Sequence, residues 1–239
     1  GLSVLKEILR LLPGERYVYY SDNAYCPYGG KGRDYVIERS KFITEELLKD
    51  GVDIIVVACN TATSAAISTL RKNWPNTPFV GMEPAVKPAA KMSRSGVIGV
   101  LATEGTLKGE KYRLSKDNYA SGIKVVEGVG RNFVELVESG QICGPEVEKI
   151  VSSSLMPLID AGADVIVLGC THYPFLLPVM KRIAGDGVTF IDPAPAVARR
   201  VVSVLDEHGV NLDNYSKASI EIKSSGSDET VRRLLKSII

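Results

Sequence analysis

Cys59 and Cys170 each end a short apolar run, and each is followed by small polar residues that can donate hydrogen bonds. The first segment reads Gly51-Val52-Asp53-Ile54-Ile55-Val56-Val57-Ala58-Cys59-Asn60-Thr61, and the second reads Gly162-Ala163-Asp164-Val165-Ile166-Val167-Leu168-Gly169-Cys170-Thr171-His172. A thiol just after a strand and just before a helix lies among backbone N–H groups at the positive end of a helix dipole. That lowers its pKa from about 8.5 toward neutrality. An acyl-transfer nucleophile needs one such thiol and a base, a pattern that Cys170 with His172 could supply. Reversing the configuration of a carbon acid needs two. One thiolate removes the α-proton from one face, and the opposing thiol delivers a proton to the other. A Cα–H beside a carboxylate is a very weak acid, so such a site must also stabilise the developing charge with N–H groups, hydroxyls and a sheltered cleft. The competing role for a free cysteine is that of a small buried hydrophobe. Two at matched places, both followed by polar residues, weigh against it.

The elements that must position these thiols follow from an internal repeat. At a constant offset Leu47 matches Leu158, Gly51 matches Gly162, Asp53 matches Asp164, Ile55 matches Ile166, Val56 matches Val167 and Cys59 matches Cys170. Each copy is a glycine-bounded β-branched run followed by a helical pattern, as a buried parallel strand feeding a crossover helix would be. Each cysteine then falls at the carboxyl end of a strand, where open α/β sheets place their ligands. Leu2, Leu5, Leu9 and Leu12 predict a first helix ended by Pro13-Gly14, and an upstream strand is expected before it. Residues 23–33, with Pro27-Tyr28-Gly29-Gly30, read as a long functional loop. Gly96-Val97-Ile98-Gly99-Val100-Leu101-Ala102 opens a new βα cycle. The expected architecture is two pseudo-symmetric doubly wound parallel-sheet α/β domains with the site in the cleft between them: 1–94, 95–209, and a strand-helix unit over 210–239 that returns to the first domain.

Composition narrows the classes. With 29 basic and 28 acidic residues in 239, no field would gather nucleic acid or an acidic membrane surface. The longest apolar runs fall far short of the roughly 20 residues that span a bilayer, and no signal peptide is recognisable, so a cytoplasmic location is the expectation. Four cysteines without a CxxC pair favour neither a disulfide framework nor a zinc site, and no metal is expected. Cys26 and Cys143 read as structural, and His208, before Gly209, reads as a helix C-cap.

The segments Ala58-Cys59-Asn60-Thr61-Ala62-Thr63-Ser64 and Gly169-Cys170-Thr171-His172-Tyr173-Pro174, with Pro27-Tyr28-Gly29, Glu83-Pro84 and Gly96-Val97-Ile98-Gly99 in order, resemble the glutamate racemases of the cofactor-independent aspartate/glutamate racemase superfamily. The resemblance covers essentially the whole chain. It implies interconversion of L- and D-glutamate, supplying D-glutamate for peptidoglycan, without cofactor or metal, in a homodimer. By position, Cys59 would take the α-proton of D-glutamate and Cys170 that of the L-enantiomer, with His172 and Glu138 assisting. Tyr28, Gly29, Asn60, Thr61, Thr171 and His172 would hold the substrate, and Thr103 would be a further contact. The family opens with a strand ending in Asp-Ser-Gly, and this chain starts just after that point. Other readings stay open: an aspartate or other racemase of the superfamily, a non-catalytic binding protein on the same fold, or an amidase using Cys170 and His172.

Overall fold

The computed structural model describes every residue except 211, 213–216 and 237–239. Those residues of the expected strand-helix unit over 210–239 thus lie outside the described residues. The chain divides into two compact units, Gly1–Met82 with Ala194–Ile239, and Glu83–Pro193.

The first unit contains α1 (Leu2–Leu11), β1 (Arg16–Ser21), α2 (Arg33–Leu48), β2 (Ile55–Val56), α3 (Asn60–Asn73) and β3 (Phe79–Val80). The second contains α4 (Val86–Met92), β4 (Val97–Ala102), α5 (Glu104–Leu107), α6 (Glu110–Tyr119), β5 (Lys124–Val129), α7 (Phe133–Glu138), α8 (Pro145–Asp160), β6 (Val165–Gly169), a 3-10 turn (Tyr173–Leu176), α9 (Leu177–Ala184) and β7 (Thr189–Ile191). The chain then returns to the first unit with α10 (Ala194–Glu207), β8 (Ser219–Ser224) and α11 (Glu229–Lys236).

In the second unit the parallel sheet runs β5-β4-β6-β7. β6 is buried at every residue, as expected of a parallel strand covered on both faces. Val86 and Ala89 of α4 pack on Ile98, Val100, Val165 and Val167 on one face. In the first unit β1 pairs with β8 and β2 with β3, all parallel, as two separate ladders among the described residues. One core joins Val4 and Ile8 of α1 to Val80, Val197, Ala198 and Val201, and another joins Ile37 of α2 to Ile55, Ile67, Leu70 and Phe79.

This division departs from the expected 1–94, 95–209 and 210–239 in two places. Helix α4 belongs with the second unit, because its apolar face packs on β4 and β6. Helix α10 belongs with the first, because its apolar face meets α1. The run 52–58 also forms a shorter strand than its composition predicts. The N–H of Ala58 bonds the Val56 carbonyl and that of Cys59 bonds the Val57 carbonyl, so the chain tightens into a turn before α3. Among the described residues no helix is long and apolar enough to cross a membrane.

Candidate active site

Cys59 is the N-cap of α3. Its backbone is extended, and its sulfur accepts the N–H of Ala62 at 3.4 Å. A side chain that meets the unsatisfied donors of a first helical turn is held at the positive end of the helix. The next residue, Asn60, is 3% exposed, and neither its amide nitrogen nor its amide oxygen has a hydrogen-bond partner. Burying an amide unpaired costs about 1–3 kcal/mol, so Asn60 offers a donor and an acceptor beside the thiol. Thr61 is buried next to it. Thr63 fixes the turn: its hydroxyl donates to the Val57 carbonyl at 3.1 Å and accepts the Met82 N–H at 3.1 Å. Gly81 permits this approach, since a Cβ there would lie 2.5 Å from the Thr63 methyl.

Cys170 follows β6 directly, but the chain beyond it enters a 3-10 turn rather than a regular helix. Gly169 lets β6 close against β4, where an added Cβ would lie 2.5 Å from that of Ala102. The Cys170 sulfur is 3.8 Å from Nδ1 of His172, and Nε2 of His172 is 2.7 Å from Oε1 of Glu138 at the end of α7. Burial lowers the His172 pKa below its usual value, outweighing the Glu138 carboxylate, which raises it. Burial raises the Glu138 pKa, but the hydrogen bond and charge of His172 outweigh that, and its carboxyl is held below the usual range. Both directions describe a neutral imidazole donating from Nε2 to an ionised Glu138. Nδ1 is then left as an acceptor toward Cys170, an arrangement that can receive the thiol proton. Tyr173 braces the turn. Its buried hydroxyl donates to the Gly130 carbonyl, and its ring meets Phe133 of α7 edge-on at 5.0 Å.

Thr171 is 5% exposed beside this pair. Thr103 follows β4 as the N-cap of α5, and the preceding residue, Ala102, pairs in register with Gly169, which precedes Cys170. The Thr103 hydroxyl is 3.0 Å from that of Thr106. Thr103, Glu138, Cys170, Thr171 and His172 therefore gather at one end of the second unit's sheet. In the first unit, Tyr28 and Gly29 lie in the loop after β1, with the Tyr28 hydroxyl donating to Asp22 and Asp22 bonded in turn by Arg39. Burial raises the Tyr28 pKa, Asp22 adds to that rise, and the charge of Cys59 contributes a further part. Asp22, Arg39 and Thr63 were not singled out from the sequence. An acidic residue one position beyond a strand was the available signal for Asp22. His208 donates from Nδ1 to the Val204 carbonyl, 2.8 Å away, as a helix-end histidine does. No cluster of three or more His, Cys, Asp or Glu suited to a metal ion occurs among the described residues.

The family model for Asp/Glu/Hydantoin racemase matches residues 1–201. The glutamate racemase of Ectopseudomonas mendocina (strain ymp) is 43% identical over 235 residues, 98% of this chain and 89% of that protein. That of Roseiflexus sp. (strain RS-1) is 44% identical over 237 residues, 98% and 87%. Among solved structures, Escherichia coli glutamate racemase in complex with L-glutamate and the activator UDP-MurNAc-ala matches with a TM-score of 0.87 at 31% identity, covering 100% of this chain and 90% of that one. A glutamate racemase from Bacillus anthracis matches with a TM-score of 0.86 at 29% identity, covering 99% and 90%.

Proposed function

The chain belongs to the Asp/Glu/Hydantoin racemase family, and we propose that it interconverts L- and D-glutamate with Cys59 and Cys170 as the two acid–base groups. The observation that carries the reading is the pair of thiols at matched positions of the repeat, each with its own hydrogen-bond partner: the first-turn N–H of Ala62 at Cys59, and the His172–Glu138 pair at Cys170. The relatives named glutamate racemase supply the substrate.

From D-glutamate, the Cys59 thiolate takes the α-proton, and the electron pair spreads into the α-carboxylate. The Cys170 thiol gives its proton to the opposite face of the carbanion, leaving L-glutamate, a Cys59 thiol and a Cys170 thiolate. The reverse reaction starts from that state, so no proton is gained or lost over a cycle. Where both thiols start protonated, His172 takes the Cys170 proton to free the thiolate, and Glu138 keeps the imidazole in the tautomer that accepts it. The buried amide of Asn60, the hydroxyls of Thr61, Thr171 and Thr103, and the Tyr28-Gly29 segment bind the ammonium and carboxylate groups and offset the developing charge. The product serves as a peptidoglycan precursor, made in the cytoplasm by a homodimer. Light scattering on the purified protein tests the dimer.

The deciding experiment incubates the protein with L-glutamate in deuterated water. Deuterium at Cα appearing together with D-glutamate on a chiral column is the expected result. Absence of both from folded full-length protein would overturn the reading. Cys59→Ser and Cys170→Ser should each abolish racemisation, and full activity in either would remove that thiol from the mechanism.

A further inference from the structure

Tyr28, Asp22 and Arg39 form a chain of contacts in the first unit that the proton-transfer chemistry does not use. Asp22 lies one residue beyond β1 with its side chain 8% exposed, and Arg39 projects from α2 at 17%. Nε of Arg39 donates to Oδ2 of Asp22 at 3.1 Å and Nη2 donates to Oδ1 at 2.5 Å, a two-pronged grip that fixes the plane of the carboxylate. The guanidinium is stacked in turn: its Cζ is 3.8 Å from the Tyr25 ring centre and 4.9 Å from that of Phe42. Both rings are substantially exposed, so their place is explained better by the cation they hold than by core packing.

We infer that Asp22 and Arg39 are positioning residues that hold Tyr28, and with it the Tyr28-Gly29 segment, in the conformation that receives substrate. The inference rests on the reading of Tyr28 and Gly29 as substrate contacts. The segment between β1 and α2 has no regular structure, so its shape depends on side-chain anchors. Asn23 ties one end to β8 through the Ser224 hydroxyl at 2.8 Å, and to the Ser227 carbonyl just beyond that strand. The Tyr28 hydroxyl ties the tip to Asp22. Asp22 can serve only because Arg39 neutralises it, since a carboxylate this buried is costly unless paired. The Tyr28 proton is thereby committed to Asp22, so the hydroxyl cannot also donate it to a substrate carboxylate. Tyr28 acts through its ring, its backbone and its remaining acceptor capacity.

The test compares Tyr28→Phe, Asp22→Asn, Arg39→Lys and the Tyr28→Phe/Asp22→Asn double variant with wild type. Hydrogen–deuterium exchange of peptides spanning residues 22–32 is read without substrate, and KM and kcat are read with each glutamate enantiomer. Tyr28→Phe and Asp22→Asn should each raise KM about tenfold and leave kcat within about twofold, the effect of losing a charge-assisted hydrogen bond that acts on binding. The double variant should be no worse than the more damaged single one. Arg39→Lys, which keeps the charge but loses the fork, should fall between wild type and Asp22→Asn. Exchange over 22–32 should quicken in every variant, with other peptides unchanged. Wild-type exchange in Tyr28→Phe and Arg39→Lys, or KM effects that multiply in the double variant, would overturn the inference. If wild type fails to racemise glutamate, the functional reading falls, and the exchange measurement alone decides whether Asp22 and Arg39 hold the loop.

Discussion

Cys59 and Cys170 occupy matched positions but are prepared differently, and the difference can be measured. At Cys59 the sulfur caps the first turn of α3 and accepts the Ala62 N–H. At Cys170 the acceptor is His172, whose pKa lies below its usual value because burial outweighs Glu138. Protonating His172 removes that acceptor, so kcat/KM should fall as pH drops through the His172 pKa. Glu138→Gln removes a charge that raises this pKa. We expect the acid limb to move to lower pH, and kcat/KM to drop roughly 10- to 100-fold because the imidazole is a weaker base. The two substrates are mirror images with equal free energies, so kcat/KM must fall by the same factor in both directions. An unchanged acid limb in Glu138→Gln would separate Glu138 from His172. The same shift has a consequence for stability. A histidine whose folded pKa is depressed binds fewer protons folded than unfolded. Its contribution is complete above the unfolded value near 6.5 and is lost as pH falls below it. Wild type should therefore lose more thermal stability between pH 7.5 and 5.5 than His172→Gln does, as followed by circular dichroism.

At the scale of elements, the repeat is a reliable guide to the strands and a poor one to what individual letters do. Asp164 precedes β6 and accepts from the Ser93 hydroxyl at 2.6 Å, the Arg94 N–H at 2.7 Å and the Ser95 N–H at 2.9 Å, pinning the segment between α4 and β4. Burial raises its pKa, but these donors outweigh that and hold its carboxyl well below the ordinary range. Its sequence match, Asp53, is exposed. Asp164→Ala should cost roughly 2–4 kcal/mol in thermal or urea unfolding, and Asp53→Ala should stay within about 0.5 kcal/mol. Equal losses at the two sites would contradict the assignment. The cysteine turns were legible because everything that makes them is local: an apolar run, a cysteine and polar residues that cap or flank a turn. The amphipathic stripes of α4 and α10 show that each helix has a buried face, but not which sheet or helix covers it. The Asp22–Arg39 contact spans 17 positions and depends on how α2 packs beside β1, so no local spacing announces it.

For the whole molecule, the order of the chain predicts which part can stand alone. The second unit is a single stretch, 83–193, with four consecutive neighbours in one parallel sheet and helices on it. The first unit is discontinuous. Helix α10 and strand β8 come from the far end of the sequence, and α10 supplies Val197, Ala198 and Val201 to the core that α1 enters with Val4 and Ile8. Without residues 194–239, β1 loses its partner in the ladder and α1 exposes its buried stripe. Each fully exposed aliphatic side chain forfeits about 1.5–3 kcal/mol of burial, so loss of a few exceeds the margin of an ordinary domain. A fragment spanning 83–193 should fold with a cooperative thermal transition and dispersed amide resonances. A fragment spanning 1–82 should show neither until a peptide covering 194–239 is added. The folded 83–193 fragment carries Cys170, His172 and Glu138 but not Cys59, so it should keep the His172 titration and exchange no α-hydrogen of glutamate. Cooperative folding of 1–82 by itself would show that α10 and β8 are dispensable to the first unit's core.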